Sequence, residues 1–407
     1  MRRRIWKNFN RDALPCVATT MNYEEKRKHY REFFPFLKTH TWLNHAGHGP
    51  WSTRSRAMMD SLIKSMVDGP MKPYQEWDDV REKTRGLLAQ FLDADIDEIG
   101  FNFTTSLSLF MISQLIPWKA GQNIIVPDRA FPSIVYPARV LEQDGVEARI
   151  IETVDGLISE DKLIDAIDRN TKMMIVPLVN FLTGLRLDIP RLSQACRDNG
   201  VFLSVDAIQG AGAIKIDVKK LGCHALCFGS PKWMFGPMGV GTIYLDKEQF
   251  DLCRVPQMGM CSVADAWNFF DYQQPLLNQC LRYEAGCSAH LSHHGMLPNL
   301  EMFLDLGREN IETHIMGLTG YLHDQLTSRG ITVLTPRDDR RRAGIITFDA
   351  KSAGWENADQ LLKTLEEQNI TVAVRMGMVR VSPHFYNTRD EIDLFLGVLD
   401  TADVMKK

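Results

Sequence analysis

The sequence predicts an α/β protein with a large domain around a mostly parallel sheet, followed by a smaller α+β domain. Two observations lead to this fold class. Between about residues 83 and 244, short and continuously apolar segments alternate with amphipathic ones, a pattern typical of βαβ units whose strands are buried on both faces. After about residue 298, longer helical runs are joined by short extended segments. We therefore expect an amino-terminal segment at 1–40, a large domain at 41–298 and a small domain at 299–407.

The predicted elements follow one another in the order that such a sheet requires. In the large domain, apolar strands are predicted at 124–126, 148–151, 173–179, 202–205, 226–229 and 241–245. Helices are predicted at 107–115, 133–143, 160–168 and 189–199, and the last three are followed by a Gly or Asn, which favour helix ends. In the small domain, a long helix is predicted at 300–329, strands at 331–334, 344–348, 371–374 and 378–381, and further helices at 357–369 and from 390 onward.

Composition and charge exclude several function classes. The 407 residues are 44% hydrophobic and 24% charged, with a formal net charge of −4. This near-balance gives no electrostatic reason to expect nucleic acid or an anionic membrane as a partner. No apolar run approaches the roughly 18 residues of a transmembrane helix. The basic residues 1–20 lack the apolar stretch of a secretory signal, and we expect them to form a partly flexible tail.

The eight cysteines are scattered through the chain. This spacing predicts free thiols in a reducing compartment, and hence a cytoplasmic location. Cys223, His224 and Cys227 lie close together, but zinc motifs require a second spaced pair, which the sequence lacks. We therefore expect no metal site.

The residues most informative about chemistry lie between Ser204 and Leu245. Asp206 ends a buried apolar strand, where an unpaired carboxylate is unfavourable and where open α/β sheets bind ligands. Lys232 follows another such strand, and burial there lowers the pKa of an amine and makes it nucleophilic. A cationic ring satisfies the carboxylate and an aldehyde reacts with the amine, and pyridoxal 5′-phosphate (PLP) offers both. For Asp206 alone, a buried cap or salt bridge is the alternative.

This part of the chain resembles the signature of the class V aminotransferase family, on the pattern Asp206-x-x-Gln209 and then Lys232-Trp233-x-x-Gly236-Pro237-x-Gly239-x-Gly241. The family consists of PLP enzymes of fold type I and includes cysteine desulfurases, isopenicillin N epimerase and kynureninase. The resemblance implies a seven-stranded sheet and a covalent bond between Lys232 and PLP. It also implies that Asp206 contacts the pyridinium nitrogen and Gln209 the phenolic oxygen. Pro231 is a departure, because most members have His at that position.

The resemblance further implies a phosphate site and a ring-stacking residue. Thr105 and Ser106 directly precede the apolar helix predicted at 107–115, and hydroxyl and free N–H groups at a helix N-terminus bind anions. Ser230, two residues before the lysine, is a third candidate phosphate ligand. Phe131 is predicted to lie on the face of the cofactor ring. The alternatives are a plain helix cap and an ordinary core phenylalanine.

Four residues are predicted to contact the substrate. By the resemblance, Arg380 binds the substrate α-carboxylate, because a guanidinium matches a carboxylate in bidentate geometry. A structural ion pair with an acid such as Asp390 is the alternative. His45 and His48 are predicted to line the substrate pocket, and surface or capping histidines are an equal alternative. Asn180, at the end of a predicted strand, is a weaker candidate.

The resemblance also implies a homodimer with active sites at its interface. The segment Arg282–Cys287 resembles a family motif ending in Gly-Thr, whose Thr contacts the phosphate of the partner's cofactor. Cys287 replaces this Thr, and a thiol is a poor donor to phosphate. We expect the contact to pass to the backbone or to Ser288.

The reaction that the resemblance implies begins when Lys232 removes the Cα proton of an amino acid. Persulfide-forming desulfuration is disfavoured, because the segment 375–378 runs directly into Arg380 and no cysteine follows Cys287. We therefore expect a C–S or other β-lyase reaction through a Cα carbanion, with transamination and epimerisation as alternatives. A non-catalytic PLP-binding regulatory protein is an alternative of another class.

Overall fold

The computed structural model describes residues 21–69, 74–286 and 288–403. These residues form twelve strands: β1 (Thr41–Trp42), β2 (Ile99–Asn102), β3 (Asn123–Pro127), β4 (Glu147–Ile151), β5 (Thr171–Pro177), β6 (Phe202–Asp206), β7 (Ala225–Gly229), β8 (Gly241–Leu245), β9 (Ile346–Phe348), β10 (Ile370–Thr371), β11 (Ala373–Arg375) and β12 (Met378–Val381). The predicted tail at 1–20 and Cys287 lie outside the described residues.

The same residues form twelve α-helices: α1 (Tyr23–Arg31), α2 (Thr53–Asp68), α3 (Tyr74–Leu92), α4 (Thr105–Ser113), α5 (Pro132–Leu141), α6 (Glu160–Asp165), α7 (Ile189–Asp198), α8 (Val218–Leu221), α9 (His290–Leu306), α10 (Arg308–Ser328), α11 (Ala358–Glu367) and α12 (Arg389–Leu399). Within the described ranges, no helix has the length and apolar character needed to cross a membrane.

Seven strands form the central sheet, in the order β2-β8-β7-β6-β5-β3-β4. The strands from β3 to β7 are parallel, and β8 is antiparallel to both of its neighbours. Alternate residues of these strands pack into two different apolar clusters. Met174 and Val176 of β5 belong to one cluster, and Met173 and Ile175 belong to the other. Both faces are therefore covered, which explains the continuously apolar strands and confirms the predicted mostly parallel sheet.

The strand directions place one set of loops together. Because β2 is antiparallel to β8 and β8 is antiparallel to β7, β2 runs in the same direction as the parallel strands. The carboxyl ends of β2, β3, β5, β6 and β7 therefore meet at one edge of the sheet. The segments that follow these strands carry seven of the predicted site residues: Thr105, Ser106, Phe131, Asn180, Gln209, Ser230 and Lys232.

A smaller antiparallel sheet, in the order β11-β12-β9, lies in the carboxyl-terminal part of the chain. Its apolar residues form a third cluster with α11 and α12, which Leu43 from the amino-terminal part also joins. β1 pairs with β10 in parallel, with Thr41 opposite Ile370. Residues 41–43 thus pack with the carboxyl-terminal elements, although the predicted boundary assigns them to the large domain. The three-part division itself stays a prediction.

Three predictions about single elements were wrong. The long helix predicted at 300–329 is two helices that meet at Gly307, whose φ of +84° is rarely adopted by residues with a Cβ. The strand predicted at 331–334 is a single bridge between Val333 and Phe348. The strand predicted at 371–374 is divided between β10 and β11, which pair with different partners. β2 was not predicted.

Candidate active site

Lys232 lies in the short connection between β7 and β8, at the carboxyl edge of the sheet. The pKa of its ammonium group is lowered to about 8, chiefly by burial; Asp206 acts in the opposite direction, and the positive charges of Arg380 and Arg375 add to the lowering. Its Nζ atom lies 5.5 Å from the centre of the Phe131 ring. No carboxylate in the described part of the chain lies within ion-pair distance of it. The lysine is therefore a basic amine in a partly apolar site.

Asp206 is the last residue of β6 and is 3% exposed. Burial raises the pKa of its carboxyl group to about 6, although a hydrogen bond from the Ile208 amide (3.0 Å) and the charge of Lys232 act in the opposite direction. A buried carboxylate of this kind is stabilised when a cation lies against it. Its surroundings therefore fit a protonated ring nitrogen.

Gln209 is held by two hydrogen bonds. Its Oε1 accepts a hydrogen bond from Trp233 Nε1 (2.8 Å), and its Nε2 donates to the Ala46 carbonyl (3.0 Å). Because an indole N–H can only donate, it fixes which end of the amide is the acceptor. The amide keeps a second N–H for another ligand. Sequence reasoning missed Trp233, although it directly follows Lys232.

The start of α4 brings several polar groups, from Thr104, Thr105 and Ser106, next to the end of β7. Thr104 caps the helix, and its Oγ1 accepts a hydrogen bond from the Leu107 amide (3.1 Å). The Ser106 hydroxyl bonds the Ser133 hydroxyl at 2.6 Å, a partner that the sequence did not predict. A Cβ atom on Gly229 would lie 2.8 Å from Thr105 Oγ1, so only glycine allows this close approach. The first amides of α4 make this polar region suited to an anion.

Ser230 and Asn180 are both buried; Ser230 is bonded within its own loop, and Asn180 is bonded within its own loop and to the loop that follows β3. The Ser230 hydroxyl donates to the Pro237 carbonyl. Asn180 Oδ1 accepts from the amides of Leu182 and Thr183 (2.9 Å each), and its Nδ2 donates to the Arg129 carbonyl (3.0 Å). These contacts favour roles in shaping the loops.

Phe131 and Phe181 form an apolar wall next to Lys232. Phe131 is 42% exposed, so it is not an ordinary core phenylalanine. The edge of one ring packs on the other, with centroids 5.4 Å apart and planes at 82°. Phe181 was not predicted from the sequence. An exposed aromatic face at this position fits contact with a flat ring.

Arg380 lies on β12 and is 2% exposed. Its Nη1 donates to the Phe181 carbonyl (2.9 Å), whereas its buried Nε has no hydrogen-bond partner. No carboxylate of the described residues, Asp390 included, forms an ion pair with it. Burial lowers the pKa of the guanidinium to about 9, and the charge of Arg375 contributes. A buried cation with an unused donor fits a carboxylate ligand.

The two predicted histidines differ in their surroundings. His45 has no exposed surface, and its ring nitrogens bond the Ser382 carbonyl and the Tyr386 hydroxyl. Burial lowers its pKa to about 3, so the ring is neutral. These contacts favour the structural alternative. His48 is half-buried, and the next residue, Gly49, donates a hydrogen bond to the Pro231 carbonyl (2.8 Å), which places His48 close to the Lys232 loop.

Ser288 lies just before α9, where its hydroxyl bonds His293 Nε2 at 2.7 Å. Within residues 21–69, 74–286 and 288–403, no group of three or more His, Cys, Asp or Glu residues is arranged to hold a metal ion.

A family model described as "Aminotransferase class-V" matches residues 69–395. A probable cysteine desulfurase of Pyrococcus abyssi is 27% identical over 339 residues, which cover 78% of this chain and 82% of the relative. A kynureninase of Geobacillus thermodenitrificans is 23% identical over 411 residues, which cover 96% and 93%. The solved complex of the cystine C–S lyase C-DES with cysteine persulfide has a similar fold, with a TM-score of 0.82 at 20% identity over 90% of this chain and 99% of that chain.

Proposed function

The chain belongs to the class V aminotransferase family of PLP-dependent enzymes, and from that premise we propose that it is an amino-acid side-chain lyase, with cleavage of a C–S or related bond at Cβ as the favoured reaction. A buried arginine without an acidic partner, close to a lysine of lowered pKa, supports this proposal most strongly. Arg380 suits the α-carboxylate of an amino acid, and Lys232 suits proton removal at Cα. Transamination and epimerisation begin in the same way and are the alternatives.

In this proposal, five residues besides Lys232 hold PLP at the carboxyl edge of the sheet. Asp206 faces the pyridinium nitrogen and favours its protonated form. The second N–H of Gln209 is offered to the phenolic oxygen, and Phe131 covers a ring face. Thr105 and Ser106 bring hydroxyls and the first amides of α4 to the phosphate. When bound, PLP supplies an electron sink for the pair left at Cα.

Lys232 has two roles in the proposal. Its Nζ binds the cofactor carbonyl in the resting enzyme, and after release it removes the Cα proton. A pKa of about 8 supports the second role, because a general base is most efficient when its pKa lies near the working pH. Pro231 stands where most family members have His, so no imidazole is available at that position, and the proton is held on Lys232 Nζ.

Two features favour a lyase that forms no persulfide on a cysteine of the enzyme. Met376 and Gly377 alone connect β11 to β12, which leaves no loop for a mobile cysteine before Arg380. The six described cysteines are all buried. Burial raises the thiol pKa of five of them, which disfavours the thiolate that an enzyme persulfide requires: Cys196, Cys223, Cys227, Cys253 and Cys280.

A product screen tests the proposed reaction. PLP-loaded protein is incubated with a panel of amino acids, and keto acid, ammonia and sulfide are measured. Keto acid and ammonia in equal amounts, without an added amino acceptor, are expected. Lys232→Ala is expected to abolish both, whereas Lys220→Ala, at an exposed lysine in α8, which precedes β7 and so lies at the opposite end of that strand from Lys232, leaves them unchanged. Keto acid that forms only with an amino acceptor indicates transamination and contradicts the lyase proposal.

We also propose that the protein is a homodimer, as the family resemblance implies, with Ser288 near the partner's cofactor. Apolar side chains around the start of α4 are exposed, as an interface requires: Phe103, Leu107 and Phe110. Light scattering at micromolar concentration is expected to give twice the mass of one chain, and the mass of a single chain would exclude this arrangement. The cytoplasmic location stays a prediction.

A further inference from the structure

A second arginine lies on the same sheet face as Arg380. In the β11–β12 hairpin, Arg380 pairs with Ala373 and Arg375 pairs with Met378. Cross-strand partners share a face of the sheet, and so do residues two apart on one strand. Arg375 and Arg380 therefore project from one face as diagonal neighbours. Arg380 is buried, and Arg375 is exposed at the turn end of the hairpin.

The backbone that carries Arg375 is fixed by a tight turn. Met376 and Gly377 both have positive φ angles, +51° and +77°. This is the pattern of a type I′ turn, which matches the twist of the two strands it joins. The position of Arg375 relative to Arg380 is thus set by the hairpin, and only the side chain of Arg375 is free to move.

Arg375 has no acidic partner in the described part of the chain, where its side chain bonds the carbonyl of its own neighbour, Val374 (2.8 Å). Its charge nevertheless reaches the site, because it lowers the pKa of both Lys232 and Arg380. Three cationic side chains therefore converge on one region. Asp206, at the end of β6, has the opposite effect, because its carboxylate raises the pKa of Lys232.

We propose that Arg375 binds an anionic group on the substrate side chain, and that the enzyme prefers amino acids with acidic side chains: carboxylates, sulfinates or sulfonates. The inference rests on the proposed function, in which Arg380 holds the α-carboxylate and the α-amine lies at Lys232. In a ligand placed in this way, the side chain is the remaining group that can meet the third cation. A guanidinium at this position selects planar or multidentate oxyanions.

Binding of unreactive acids tests this subsite without turnover. PLP-loaded protein is titrated with succinate and with butyrate, which have the same chain length but differ by one carboxylate, and the absorbance of the cofactor reports binding. Succinate is expected to bind at least about fivefold more tightly than butyrate. Arg375→Gln is expected to remove this preference and leave butyrate unchanged, and Arg375→Lys is expected to restore part of it. Arg340→Gln, at an exposed arginine paired with Asp338, is the matched control and leaves both affinities unchanged.

Each other outcome overturns the subsite. Equal weakening of both acids by Arg375→Gln assigns Arg375 to the α-carboxylate. No change for either acid, or no succinate preference in the unmodified protein, places Arg375 outside the ligand. The product screen is a separate measurement. A succinate preference that depends on Arg375, in a protein that releases no ammonia, leaves the substrate class standing and removes the lyase reaction. Lyase activity in a protein that shows no succinate preference supports the lyase reaction and rejects the proposed substrate class.

Discussion

Burial, more than any ion pair, determines the pKa values of Lys232 and Asp206. It lowers the pKa of the lysine to about 8 and raises that of the aspartic acid to about 6. Each shift favours the neutral form, so both groups can exchange protons near neutral pH. The sequence predicted the burial of both residues and the lowered pKa of Lys232, because Asp206 ends one buried strand and Lys232 follows another. It could not predict that Ser230, Asn180 and His45 are bonded within the protein, because their partners are set by the folded chain.

The reactivity of Lys232 in the cofactor-free protein should follow its lowered pKa. Labelling by an amine-reactive reagent requires the neutral amine, so it should rise with pH and reach half its maximum near pH 8. Arg375→Gln removes a positive charge and should move this midpoint upward, whereas Asp206→Asn removes a negative charge and should move it downward. Peptide mass spectrometry measures the labelling. Arg340→Gln is the control, and a midpoint unmoved by both site substitutions would show that these charges do not reach the lysine.

The hydrogen bond between Trp233 and Gln209 should matter for both stability and cofactor affinity. Trp233→Phe leaves the buried Gln209 Oε1 without its donor and should cost about 1–3 kcal/mol in the free energy of unfolding. The amide is then free to flip, and PLP should bind more weakly. Urea unfolding and a PLP titration measure the two effects.

Trp355→Phe is the matched control, because it removes an indole hydrogen bond to the Leu399 carbonyl in the third cluster. It should lower stability and leave PLP affinity unchanged. If the two substitutions weaken PLP binding equally, Trp233 acts through general stability and does not orient Gln209.

At the scale of elements, periodicity identified the strands from β3 to β8 because continuous apolar runs require burial on both faces. It missed β2, because this strand has only four residues, one of them Gly100, and its neighbour β8 is distant in sequence. The break between α9 and α10 was also missed, since a single Gly307 does not interrupt the apolar period. Thr105, Phe131 and Lys232 lie close together because of the order of the strands in the sheet. Local sequence patterns do not predict that order.

The β11–β12 turn should be sensitive to a Cβ at its second residue. Gly377→Ala places a side chain at a φ of +77° and should destabilise the protein by about 1 kcal/mol, although no atom lies within 4 Å of the added carbon. Gly317→Ala, in the exposed interior of α10, also meets no atom within 4 Å and should stabilise by about 0.5–1 kcal/mol. Thermal unfolding compares them. The same sign for both would contradict the role of backbone conformation in this turn.

At the scale of the whole molecule, the site joins distant parts of the chain. The Lys232 loop packs against the segment that follows β1, and a Cβ on Gly49 would lie 2.1 Å from the Lys232 carbonyl oxygen. The His45 amide bonds the Ser382 carbonyl (3.2 Å), two residues after Arg380. The amino-terminal segment therefore connects the central sheet to the hairpin with both arginines. Sequence reasoning placed these segments near one site through the family resemblance, but it could not give the contacts.

Reductive trapping tests most directly whether Lys232 is the residue that holds PLP. PLP-loaded protein is treated with borohydride and digested, and the peptides are analysed by mass spectrometry. One pyridoxyl group per chain is expected, on Lys232, with none in Lys232→Ala. A stable label on another lysine, or full labelling of the Lys232→Ala protein, would contradict this assignment.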